Sequence, residues 1–134
     1  MSINVSKLIS YWQNEATRSW EIAIILFEKK KYPESLFFGH LTLEKILKAL
    51  VVQNTKKQPD FIHALPKLAQ QTGLLLDKKQ KEEFAIITSF NQAGRYDIEK
   101  NNFRKNCTLE YTKKQLKKIE NYYLWLKKEL SQKK

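Results

Sequence analysis

The chain has 134 residues, of which 42% are hydrophobic and 12% aromatic. That length suits one domain, residues 1–134, with a core of useful size, and the composition is that of a folding chain. Three glycines and three prolines are few for an all-β fold, which needs many tight turns. We therefore predict a small number of long helices.

One cysteine and two histidines limit the sites that the chain can build. They allow no internal disulfide and no cluster of zinc-ligand spacing, so we predict neither a metal nor another cofactor. The N-terminus lacks the apolar core of a signal peptide, and no run approaches the roughly 20 apolar residues of a membrane span. We expect a cytoplasmic protein that does not contact a membrane.

Positive charge is concentrated at the C-terminal end. The chain carries 25 basic against 14 acidic residues, a formal net charge of +11, and from Lys100 onward 11 basic residues face three glutamates. Such a cluster attracts phosphate backbones, and it is equally typical of a solvated lysine-rich helix face. The second interpretation is favoured, because arginine, the better phosphate ligand, occurs only three times.

Apolar residues at helical spacing predict a first helix from about Asn4 to Lys29. Pro33 suits the first turn of a second helix, with Glu34 beside it, and the polar stretch after Asn54 ends that helix. The connection is short, so the two helices pack antiparallel. The second helix has the central apolar stripe, formed by Leu36, His40, Leu43, Leu47 and Leu50.

Three further helices follow. The third helix is short and runs from His63 or Ala64 to Gln71. Asp77 with Gln80 predicts a capping box at the start of a fourth helix. Thr108 is the predicted N-cap of the last helix. Residues 95–107 show no period and are expected to form the longest loop. The last helix has a predicted apolar seam that consists of Leu109, Thr112, Leu116, Ile119, Tyr123, Leu126 and Leu130. Tyr122 and Trp125 lie off that seam, and they either widen the core contact or cover a partner subunit. The prediction is all-α, an up-and-down bundle of four to five helices.

Polar side chains interrupt the stripe of the second helix at His40, Glu44, Lys45 and Lys48. His40 is predicted to be a core histidine with a hydrogen bond inside the bundle, rather than a proton-transfer residue. Glu44 and Lys48 have the i, i+4 spacing of an ordinary surface pair, yet an unpaired carboxylate beside an apolar stripe is expensive. We hypothesise that Arg95 pairs with Glu44. We assign structural roles to His40, Glu44 and Lys45.

Three segments, in order, carry a family resemblance: KKYPESLFFGHLTLEKILKALVV, then FIHAL, then NQAGRYD. They resemble the ARYPD-type branch of the prokaryotic HEPN domains, in which an "EKxLKAL" helix precedes an "HDL" and an "ARYPD" segment. The resemblance covers nearly the whole chain. It implies an up-and-down helical bundle, usually a homodimer, often encoded beside a minimal nucleotidyltransferase and associated with nucleotides or RNA.

Residue by residue, Glu44, Lys45 and Lys48 match the helix motif, His63 matches the histidine of "HDL", and Arg95 with Tyr96 matches the arginine-tyrosine of the last motif. Ala64 stands where the family has aspartate, and proline is missing from GRYDIEK. HEPN ribonucleases carry an arginine followed four to six residues later by histidine, and no histidine follows His63 here. Ribonuclease activity is therefore not supported, and we predict no catalytic residue.

If Lys48, His63, Arg95 and Tyr96 converge, they form a cationic pocket with an aromatic wall that suits a nucleotide. Against this, His63 before a helix start often only caps or packs. The favoured function is a binding module that pairs with a minimal nucleotidyltransferase in a toxin–antitoxin-like unit and binds nucleotide or RNA. The alternatives are a purely structural dimerisation bundle and, less favoured, a ribonuclease.

Overall fold

The computed structural model describes the backbone of residues 4–94 and 98–132, and the side chains of residues 4–91 and 101–130. Six α-helices and one 3₁₀ helix occupy the described ranges, and they form the predicted all-α, up-and-down bundle. In chain order these are α1 (Val5–Glu28), α2 (Tyr32–Thr55), α3 (Leu65–Gln71), α4 (Lys78–Thr88), the 3₁₀ helix (Ser89–Gly94), α5 (Ile98–Asn106) and α6 (Leu109–Gln132).

Three of the six described α-helices, α1, α4 and α6, begin with a side-chain cap. The Asn4 side chain accepts a hydrogen bond from the Lys7 amide at 3.0 Å, and Asp77 with Gln80 forms both bonds of the predicted capping box. Thr108 Oγ1 likewise accepts from the Tyr111 amide at 3.1 Å, as its predicted N-cap role requires. These bonds satisfy backbone N–H groups that have no partner within the helix.

Helix α2 is the centre of the bundle. Helices α1, α3 and α6 all pack against it, and every residue of its predicted apolar stripe is buried. Helix α1 approaches it closely through the small residues Ala16, Ser19 and Ala23, and Ser35 Oγ donates to the Ala23 carbonyl at 2.7 Å. On the other side, Gly39 leaves room for α6: a Cβ there would lie 2.8 Å from Ile119 Cδ1. Both neighbours therefore lie closer to α2 than large side chains would permit.

The prediction that residues 95–107 form the longest loop is wrong, because α5 occupies most of that segment. Phe103 and Cys107, one helical turn apart, are both buried, and Arg104 and Lys105 stand in the last turn, where cations favour the helix dipole. A nine-residue helix with so few apolar positions shows no period in the sequence.

The final helix confirms most of its predicted seam. Thr112, Leu116, Ile119, Tyr123, Leu126 and Leu130 are all buried, whereas Leu109 at its start is exposed. Tyr122 widens the contact with the bundle: its ring meets Phe84 edge-on with centroids 4.8 Å apart, and its hydroxyl donates to the Glu83 carboxylate. No helix in the described ranges is both long and apolar enough to cross a lipid bilayer.

Candidate functional site

The candidate site is centred on a buried carboxylate in the middle of α2. His40, Glu44 and Lys48 follow one another at intervals of four residues, so they lie on one face of that helix. All three are buried, with relative exposures of 1%, 4% and 5%. A charged group in such a position needs partners, because removing it from water without them is expensive.

Glu44 has three nitrogen partners. Its Oε2 accepts a hydrogen bond from Lys48 Nζ at 3.0 Å, and its Oε1 accepts one from His63 Nδ1 at 3.1 Å. His40 Nε2 lies 3.5 Å from the same Oε1. Both carboxylate oxygens are thus engaged, and the buried negative charge faces a buried ammonium group.

His40 is held in one tautomer by its surroundings. Its Nε2 donates to the backbone carbonyl of His63 at 3.3 Å, and the neighbouring Glu44 oxygen is also an acceptor, so Nε2 carries the hydrogen. Burial lowers the pKa of His40, and this outweighs the opposite effect of Glu44. His40 is therefore a neutral core group that fixes the backbone at His63. Its buried Nδ1 has no hydrogen-bond partner among the residues that the structure describes.

His63 joins this buried cluster to the surface. It lies between α2 and α3, and its side chain is 67% exposed. Because the Glu44 carboxylate only accepts hydrogen bonds, the contact with Nδ1 assigns the hydrogen to that atom and leaves Nε2 for another partner. Two contacts therefore orient the His63 ring: Glu44 bonds to its Nδ1, and His40 bonds to the backbone carbonyl of His63.

Two lysines of α2 connect it to α1. Lys48 Nζ lies 5.0 Å from the centroid of the Trp12 ring, in the position of a cation–π contact. Lys45 Nζ donates to Ser19 Oγ at 3.0 Å and lies 3.6 Å from Glu15 Oε1. The first lysine is bound inside the cluster, and the second joins the two helices near the surface.

The structure thus brings together two of the four residues predicted to bind a ligand. Lys48 and His63 bond to opposite oxygens of Glu44. Arg95 and Tyr96, and with them the hypothesised Glu44–Arg95 pair, lie outside the described residues. A ligand role for all four stays a prediction.

The contact that sequence reasoning missed is the one between His63 and Glu44. These residues are 19 positions apart and belong to different elements, so no periodicity connects them. The sequence indicated only that Glu44 needs a partner, since a carboxylate beside an apolar stripe requires one. Within the described ranges, no three His, Cys, Asp or Glu side chains are grouped so that they could hold a metal ion.

These features define a small all-α bundle whose central helix carries a buried polar cluster in which Glu44 is paired with Lys48 and His63. The family model of the HEPN domain matches residues 9–130, and the chain belongs to the HEPN domain family. A comparison with curated proteins and one with solved structures gave no match. Membership supports a module that is related to nucleotides or RNA, or that binds a partner.

Proposed function

We propose that this HEPN domain is a binding module for a nucleotide or RNA, and that it works with a minimal nucleotidyltransferase in a toxin–antitoxin-like pair. The observation that carries the binding role is the orientation of the exposed His63 ring by the buried Glu44. The partner is proposed on the resemblance of the YPES, EKILKAL and GRYD segments to the ARYPD-type branch of the family.

An imidazole that is already oriented suits recognition of a polar ligand. Binding does not have to immobilise the ring, so less conformational entropy is lost. When neutral, His63 offers Nε2 as an acceptor to a base or sugar hydroxyl, and when protonated it donates from Nε2 to a phosphate oxygen. Either form keeps the Nδ1 contact with Glu44.

The charge of the chain supports an anionic ligand. The net charge of +11 raises the local concentration of phosphate-bearing molecules around the domain. Lys48 adds little to this field, because its buried ammonium group is paired with the Glu44 carboxylate. Binding of this kind releases the counterions that surround the phosphates. It weakens as salt is added, because releasing ions into a more concentrated salt solution is less favourable.

Calorimetric titration with AMP, ATP and a short single-stranded RNA tests the binding role. We expect heat of binding at low salt that decreases at high salt, and affinity that falls by about tenfold in His63→Gln, the loss of one charge-assisted hydrogen bond. The control is Lys79→Gln, an exposed cation at the start of α4. No heat with any ligand at low salt, or an equal loss in the control, would contradict the proposal.

The partner is tested separately. We expect a small nucleotidyltransferase gene beside the gene for this chain, and we expect its product to co-purify with the domain after co-expression. Expression of the domain alone is expected to slow growth, and the partner to relieve that effect. If the neighbouring genes encode no nucleotidyltransferase, the paired function is wrong, whereas the binding role is still decided by calorimetry.

A further inference from the structure

His63 presents one ring nitrogen to solvent in a fixed tautomer. Its Nδ1 donates to Glu44 Oε1 at 3.1 Å, and a carboxylate has no hydrogen to donate in return, so the neutral ring carries its lone pair on Nε2. The side chain is 67% exposed, and no hydrogen bond joins Nε2 to a residue in the described ranges. An accessible nitrogen lone pair of this kind is a nucleophile.

This nitrogen is held in place from inside the bundle. Glu44 is only 4% exposed, and its Oε2 is occupied by Lys48 Nζ at 3.0 Å, so Oε1 is the oxygen that meets the imidazole. His40 Nε2 bonds to the backbone carbonyl of His63 at 3.3 Å and fixes the chain at that point. The Nδ1 edge of the His63 ring therefore faces the buried carboxylate, which leaves Nε2 on the exposed part of the ring.

Two other nucleophilic side chains, His40 and Cys107, are shielded from solvent. His40, the second of the two histidines in the chain, is 1% exposed. Cys107 is 7% exposed, and its Sγ donates to the Phe103 carbonyl at 3.1 Å. Burial also raises the pKa of the Cys107 thiol to about 11, so little of the reactive thiolate is present at neutral pH. An electrophile in solution therefore reaches only His63 among these three.

We propose that His63 Nε2 is a phosphoryl-acceptor site and that its donor is a phosphoramidate. The Nε2 lone pair forms a bond to phosphorus, and the P–N bond of the donor breaks. The donor nitrogen, already protonated, leaves with the bonding electron pair as neutral ammonia. The product is an imidazolium that carries the phosphoryl group on Nε2 and keeps its hydrogen on Nδ1. Because a P–N bond is both formed and broken, the transfer needs no further source of energy.

Glu44 favours this step through the charge that develops on the ring. Bond formation to phosphorus draws electron density from the imidazole, so positive charge appears on the ring as the transition state is approached. The hydrogen bond from Nδ1 to the carboxylate then becomes charge-assisted and strengthens, which lowers the barrier. A buried carboxylate is screened less by water than an exposed one, and this increases the effect. Glu44 is thus a positioning residue, since it contacts His63 and not the donor.

The charge of the chain favours an anionic donor. The net charge of +11 raises the local concentration of phosphate-bearing molecules around the domain. A phosphoramidate has neither a base nor a sugar, so the reaction does not require a nucleotide to bind. The modification therefore goes beyond the proposed binding role, although it uses the same imidazole.

Incubation with potassium phosphoramidate tests the proposal. Intact-protein mass spectrometry counts the phosphoryl groups, and phosphorus NMR distinguishes the Nε2 isomer of phosphohistidine from the Nδ1 isomer. We expect the folded wild-type chain to gain one phosphoryl group, as the Nε2 isomer from the first time point, and to lose it in acid. The rate at His63 should exceed the rate at the same residue in urea by about tenfold, a factor that one charge-assisted hydrogen bond can supply.

The variant His63→Gln separates the two histidines. While folded it should gain no phosphoryl group, because the remaining His40 is buried. In urea it should gain one, because unfolding exposes His40 to the same reagent. This pair of measurements shows that the folded structure, and not the reagent, selects the site.

The role of Glu44 is tested with Glu44→Leu combined with Lys48→Met. These changes replace the buried ion pair with apolar side chains of similar size, so the core is preserved. We expect the rate at His63 to fall by about tenfold and the Nδ1 isomer to appear, since Nδ1 has lost its acceptor. The control is Lys79→Gln, at an exposed position at the start of α4, which should keep the wild-type rate and isomer. Circular dichroism establishes that every variant is helical.

Several outcomes would overturn the proposal. They are the absence of phosphohistidine in the folded wild-type chain, modification of folded His63→Gln, and the Nδ1 isomer as the main wild-type product. An unchanged rate and isomer in the double variant would equally contradict it, because a merely structural Glu44 has no influence on which nitrogen reacts. The reaction contains no nucleotide, so these outcomes are independent of the calorimetric test of ligand binding.

Discussion

Glu44 Oε1 accepts a hydrogen bond from His63 Nδ1 at 3.1 Å, although the glutamate is buried and the imidazole is largely exposed. The same carboxylate holds the buried Lys48 ammonium at 3.0 Å. One side chain of α2 thus balances a buried charge and orients a surface ring. The stability of the bundle and the geometry of its candidate site therefore depend on the same residue.

Replacing Glu44 with glutamine leaves the Lys48 ammonium group buried without a negative partner. We expect Glu44→Gln to lower the free energy of unfolding by about 3 kcal/mol, the scale seen when one member of a buried pair is removed. Adding Lys48→Met, which removes the stranded charge but keeps the volume, should recover most of that loss. Urea denaturation measures both variants. Equal stability of Glu44→Gln and the wild-type chain would show that the pair is not effectively buried.

The buried His40 makes stability depend on pH. Burial lowers the pKa of His40 below its ordinary value near 6.5. In mild acid, His40 is therefore protonated in the unfolded chain while it is still neutral in the folded chain. The stability that depends on a neutral His40 is fully present above pH 6.5. As the pH falls below that value, the free energy of unfolding decreases by at most about 1.4 kcal/mol per pH unit.

The variant His40→Gln can still donate to the His63 carbonyl, and it should show a flatter loss of stability between neutral and mildly acidic pH. Lys79→Gln, at an exposed position at the start of α4, is the control, and it should retain the wild-type slope because His40 and its neighbours are intact. Free energies of unfolding measured across this pH range test whether His40 causes the pH dependence. An unchanged slope in His40→Gln would assign the dependence to other groups.

Tyr122 and Glu83 form a second paired site, between α6 and α4. The Tyr122 hydroxyl bond lowers the pKa of Glu83, with help from Lys118, while burial and then the Glu83 charge raise the pKa of Tyr122. We expect Tyr122→Phe to lower the free energy of unfolding by about 1.5 kcal/mol, the scale of a hydrogen bond to a charged acceptor. NMR titration of the Glu83 carboxyl should show its pKa returning toward the ordinary value. If the pKa of Glu83 is the same in Tyr122→Phe as in the wild-type chain, Lys118 alone lowers it.

The close approach of α2 and α6 at Gly39 gives a prediction about packing. Alanine is a better helix former than glycine by about 1 kcal/mol, but its Cβ would meet Ile119 Cδ1, so overpacking of about 1–3 kcal/mol opposes that gain. We expect Gly39→Ala to be net destabilising in the wild-type background and stabilising when Ile119→Val has removed the Cδ1 atom. Thermal unfolding of the two single variants and the double variant measures this coupling. Additive effects would place the two helices further apart than the structure does.

Much of the fold was determined by sequence alone, because the signals are local. The apolar stripe of α2, the capping bonds at Asn4, Asp77 and Thr108, and the seam of α6 each depend on residues within a turn or two of one another. The family also followed from ordered motifs in the chain. The helical state of α5 did not, because it depends on burying Phe103 and Cys107 against other elements.

The partners of Glu44 were decided only by the tertiary structure. Sequence showed that a carboxylate next to an apolar stripe requires compensation, and its spacing to Lys48 supplied one partner. The contact with His63 forms because the chain returns after α2 and brings a residue 19 positions away to the same face.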